Sequence, residues 1–160
     1  MSKKNQRLIN FIMVLLSWLT IPFLGWHNIK RFFTASILIV LLEAINVQFG
    51  KKKKWWVFYN KPKSYFTNEF PFNIGPFLIG SMWILKWSYG GFKKYILLNA
   101  IVDGFFAFII VRLTEKLKVA KLVRLNNFQF FLYFFYKAFL LYGFQYIIQG
   151  KKELTEKLVK

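Results

Sequence analysis

The chain has no cysteine, a single histidine, and only 6 acidic residues against 24 lysines and arginines. Without thiols there are no disulfides and no thiolate metal sites, and the redox compartment is left undetermined. The one histidine, His27, lies between Trp26 and Asn28 in a short interfacial turn and reads as a loop residue. It cannot build a metal site without partners, and no His-Glu-x-x-His pattern exists. Ser81 follows Gly80, but the Gly-x-Ser-x-Gly pattern of a nucleophile elbow is missing. A Gly-rich phosphate loop is missing too. The motifs therefore give no support to catalysis and imply no cofactor.

What is present is apolar. Of 160 residues 56% are hydrophobic and 22% aromatic, yet the formal charge is +18. A soluble core of this size could not hide 21 Phe, 8 Tyr and 6 Trp. The lysines are crowded into short connectors between long apolar runs, which is the layout of a multi-pass membrane protein. A nucleic-acid binder would need one continuous basic face, and these clusters are spread between spans instead. The sequence thus predicts an all-α polytopic membrane domain with about five transmembrane helices and no nucleic-acid partner.

The spans fall at about 8–26, 32–49, 72–89, 95–111 and 128–148. The first ends Ile21-Pro22-Phe23-Leu24-Gly25-Trp26, too bulky for a signal-peptide cleavage site, so it reads as an uncleaved span. Only His27 to Arg31 separate it from the second, which predicts a tight antiparallel hairpin. The third is the weakest: Pro71, Gly75, Pro76 and Gly80 crowd its first half, and a re-entrant or short segment is the alternative. Residues 113–125 place Leu113, Leu117, Ala120 and Leu125 near one face, which suggests a basic amphipathic helix along the headgroups.

With five spans and the N-terminus inside, the inner segments carry 14 lysines and arginines and the outer ones 9. With a re-entrant third stretch the balance is 16 to 7. Either count favours an N-terminus on the cytoplasmic side.

Three charges interrupt apolar runs near their centres: Glu43, Asp103 and Lys137. A central charge costs about 2.5 to 3.5 kcal/mol on insertion scales, so it is seldom there without a role. Asn99 shares a helical face with Asp103, and Asn46 with Glu43. Ala100, Gly104 and Ala107 would let a neighbouring helix approach Asp103. Together with Gln145 on the fifth span, these residues predict one intramembrane polar cluster of Glu43, Asn46, Asn99, Asp103, Lys137 and Gln145. Two acids face one base, so one carboxyl is left over. The cluster is either a clasp that fixes the helices, the preferred reading, or a proton-responsive or ligand-binding centre.

Lys51, Lys52, Lys53 and Lys54 precede Trp55 and Trp56, a cation block beside an aromatic belt. Each basic residue near an anionic leaflet is worth about 1 kcal/mol. These six residues are the candidate contact with anionic lipid headgroups, as ordinary anchoring rather than specific capture.

The segment Glu69-Phe70-Pro71-Phe72-Asn73-Ile74-Gly75-Pro76-Phe77-Leu78-Ile79-Gly80-Ser81-Met82-Trp83-Ile84-Leu85-Lys86, with Val102-Asp103-Gly104-Phe105-Phe106, resembles a group of small multi-pass membrane proteins of Bacillus-type bacteria. That resemblance implies a bacterial cytoplasmic membrane and no activity. The expected role is that of a non-catalytic accessory, regulatory or partner-binding protein, with a membrane-protein partner or a second copy. A small proton-coupled transporter or channel-like subunit is the alternative, and a lipid-modifying enzyme the weaker one.

Overall fold

Helix α1 (Lys3–Leu19) and the short α2 (Ile21–Leu24) lead to Gly25, which turns the chain into α3 (Trp26–Lys52). The computed structural model describes residues 3–59 and 65–158, so Lys61 and Lys63 lie outside the described residues. Gly25 has φ of 79°, a conformation that costs glycine little, and it makes the turn almost alone. His27 to Arg31 are therefore the start of α3 rather than a connector.

The expected tight hairpin does not form. From the turn, α1 leaves α3 and packs on the third apolar stretch. Gly75 is the reason: a Cβ there would lie 3.1 Å from the Val14 Cα, so the helices meet where one of them has no side chain. Trp18 completes the contact by donating its Nε1–H to the Ile74 carbonyl at 2.9 Å.

The third stretch follows α4 (Tyr65–Asn68) and runs unbroken through α5 (Phe70–Phe72), a π turn (Asn73–Phe77) and α6 (Leu78–Ser88). Three, five and eleven residues make nineteen, about 28 Å at 1.5 Å per residue. The chain returns through α7 (Phe92–Phe105), a second π turn (Phe106–Ile110) and α8 (Val111–Lys116). The last helix, α9 (Asn127–Leu158), continues the fifth span into the charged tail.

Both π turns follow one rule. The Leu78 N–H reaches back to Asn73 and passes over the Ile74 carbonyl, which Trp18 then occupies. The Val111 N–H reaches Phe106 and passes over the Ala107 carbonyl, which takes the Asn127 Nδ2–H at 3.1 Å. Backbone groups left over at membrane depth are thus met by side chains of another helix.

Residues 113–125 are not one amphipathic helix. α8 stops at Lys116, Lys118 takes φ of 52°, and Ala120–Leu122 form a strand, β2. It pairs antiparallel with β1 (Trp56–Phe58), which α3 enters through Lys54 at φ of 54°. This ribbon ties the two basic connectors to the same face of the bundle. A re-entrant third stretch would have put them on opposite faces, so the third stretch crosses the bundle.

Helices α3, α6, α7 and α9 pack in a closed ring, with α1 outside it. Four helical runs (Lys4–Leu24, Trp26–Lys52, Phe92–Lys116 and Asn127–Lys152) are long and apolar enough to cross a membrane. The third stretch is not among them, although its α6 packs between α3 and α7 in the ring. The protein is a helical polytopic membrane protein, with one small ribbon among the described residues.

Candidate functional site

Lys137 on α9 and Glu43 on α3 form an ion pair whose side chains are only 2% and 3% exposed. Tyr133, one turn before Lys137 on the same helix face, brings its hydroxyl 3.1 Å from each Glu43 oxygen. The lysine ammonium also lies 3.5 Å from the centre of the Tyr133 ring and 4.1 Å from that of Phe134. Rings rather than further acceptors therefore surround the rest of the cation, a favourable contact where water is excluded. Glu43, Lys137 and Tyr133 close on one another and hold α3 to α9. Tyr133 was the residue that sequence reasoning missed, and its signal is the four-residue spacing to Lys137.

The rest of the predicted cluster does not join them. Asp103 is half-buried and makes no ion pair or side-chain hydrogen bond among the described residues. It faces a cavity of about 150 Å³ whose wall includes Lys137, Asn99, Pro76, Gly80 and Ser81. Space exists there because the third stretch presents small residues; a Cβ on Gly80 would meet nothing within 4 Å. A Cβ on Gly104 would meet nothing either, so that glycine does not admit a neighbouring helix. Asn99 turns back along its own helix to the Tyr95 carbonyl at 2.8 Å, while the Tyr95 hydroxyl donates to the Ala138 carbonyl at 2.7 Å. Asn46 donates to the Tyr136 hydroxyl, away from the ion pair. Gln145 is buried at 1% exposure, and its Oε1 has no hydrogen-bond partner.

A second polar node sits at the ribbon end. Glu69 accepts from Lys51 Nζ and from Trp56 Nε1, both at 3.3 Å. Lys51 and Trp56 are therefore engaged inside the protein, whereas Lys52, Lys53 and Lys54 are exposed and free to meet headgroups. Trp55 and Trp56 both pack on Tyr133 with ring centres 5.7 Å apart, roofing the buried pair. Burial pushes the Glu69 carboxyl above its ordinary value, and Lys51 offsets this only in part. A folded state that holds the proton more tightly than the unfolded one loses stability as pH rises from about 4.5 through the folded value. Glu69→Gln is expected to flatten this slope in thermal-unfolding curves recorded against pH. Lys51→Met is expected to steepen it and to lower Tm at neutral pH, since the carboxylate then loses its ion-pair partner.

Comparison of the chain with protein-family models, characterised proteins and solved structures returned no match. Fold and site define its class: a small helical multi-pass membrane protein with a buried Glu–Lys–Tyr clasp between two of its helices.

Proposed function

We propose that this is a non-catalytic membrane protein of accessory, regulatory or partner-binding type. The observation that carries the reading is the closed clasp. Both oxygens of Glu43 are occupied by Lys137 and Tyr133, and neither charged side chain is open to water. A group that loads and unloads protons or solute needs a wet path, and a buried charge otherwise holds helices in register. The outer face of α1 supports the partner-binding part, with Leu8, Phe11, Leu16 and Leu19 each more than half exposed. That face meets lipid or a partner helix. The setting belongs to the same proposal: a bacterial cytoplasmic membrane with the ribbon face and the N-terminus inside. The ribbon gathers Lys52, Lys53, Lys54, Lys118 and Lys121 on one side, as inward-facing connectors require.

One observation favours the transporter reading: Asp103, the surplus carboxyl, faces a cavity that also reaches Lys137. Proton flux into dye-loaded proteoliposomes separates the two. The accessory reading expects wild type, Glu43→Gln and Asp103→Asn to match protein-free vesicles. Wild-type flux that Asp103→Asn abolishes would establish transport instead.

A further inference from the structure

Behind the ribbon lies a chamber of about 340 Å³, bounded by α1, α3, the segment around Glu69, α8, the ribbon and the first turns of α9. Its walls are mostly apolar, with Ile9, Val47, Ile110, Leu122 and Phe130 among them. An apolar cavity of about 150 Å³ already stays dry and takes up benzene, so one of this size suits hydrocarbon rather than water. Ile9, Leu113 and Leu117 line it and are themselves 40%, 48% and 52% exposed. The chamber therefore opens sideways between α1 and α8, where a surrounding lipid can enter.

Charge sets the direction of the occupant. At the ribbon end the rim carries Lys121, with exposed Lys118 in the turn between two further lining residues, Leu117 and Val119. At the inner end sits Glu43, paired with Lys137, while Glu69 lies at the ribbon end and is already paired with Lys51. Those carboxylates repel an anionic head and offer a cationic one no unpaired partner. An anion is held only at the rim, with its tail pointing inward. Glu43 lies nine residues before Lys52 at the end of α3, so the chamber reaches about 13 Å below the ribbon face.

We propose that this chamber is a lipid site that takes one acyl chain of an anionic glycerophospholipid and seats its phosphate between Lys118 and Lys121. The ribbon then serves as the lid of a lipid pocket as well as a strap between connectors. The clasp residues Glu43 and Tyr133 border the inner end of the chamber, but the variants that test the proposal lie at the ribbon and rim.

Native mass spectrometry of protein extracted from vesicles of equal phosphatidylglycerol and phosphatidylcholine tests it. Wild type is expected to keep one phosphatidylglycerol per chain, about thirtyfold enriched over phosphatidylcholine, given about 1 kcal/mol for each of the two lysines near the phosphate. Ala120→Trp, which fills the chamber from β2, should lower occupancy about tenfold. The double variant Lys118→Glu with Lys121→Glu touches only exposed side chains and should erase the preference for phosphatidylglycerol. It decides the matter if Ala120→Trp does not fold. A wild type with no lipid adduct, equal retention of the two lipids, or displacement of phosphatidylglycerol by equimolar oleate would each overturn the assignment.

Discussion

Lys137→Met is expected to lower the unfolding free energy by about 3 to 5 kcal/mol, the range for a buried pair that loses one partner. The cause is local. In wild type the Glu43 carboxylate is nearly inaccessible and has two partners, Lys137 and Tyr133. Methionine fills much of the lysine volume but leaves the acid with one hydroxyl in an apolar surround. The two sides of the clasp are also the two helices α3 and α9, so the loss falls on the packing of the ring. Tyr133→Phe removes a hydrogen bond to a charged group, worth about 1.5 to 3 kcal/mol, and should fall below the lysine variant. Unfolding in mixed micelles, followed by circular dichroism, orders the two.

Gly50→Ala should cost about 1 to 3 kcal/mol, the usual penalty for overpacking, although alanine is the better helix former. A Cβ at that position would stand 2.4 Å from Trp56 Cη2 and 2.8 Å from Cζ3. The indole cannot swing away freely, because its Nε1 is bonded to Glu69 and its ring packs on Phe130 and Tyr133. Gly143→Ala in α9 is the control. Its Cβ would meet nothing within 4 Å, so the helix gains about 0.5 to 1 kcal/mol with no clash to offset it. The two alanine variants should therefore shift Tm in opposite directions.

The long spans were legible because twenty apolar residues bounded by lysines have few other uses, and the cost of a lone buried charge implied that Lys137 meets a carboxyl, though not whether Glu43 or Asp103. The ribbon was not legible. β1 and β2 are three residues each, and the turns into them place Lys54 and Lys118 at positive φ, where sequence favours glycine. The same blindness turned 113–125 into a helix on paper. The isolation of Asp103 had a different source. Helical spacing puts Asn99 beside it but says nothing of how α7 is rotated against α9. The small residues of the third stretch then leave a cavity where a partner was expected. Lys51 and Trp56 read as belt residues because Glu69, their shared partner, is eighteen and thirteen residues away in the chain.

The central claim is that Glu43 and Lys137 act as one structural unit. A double-mutant cycle measures this directly, using Glu43→Gln, Lys137→Met and their combination, with unfolding free energies taken in one lipid composition. The clasp predicts that the double variant is more stable than Lys137→Met alone, with a coupling energy of about 2 kcal/mol or more between the sites. Additive losses, within about 0.5 kcal/mol, would contradict it.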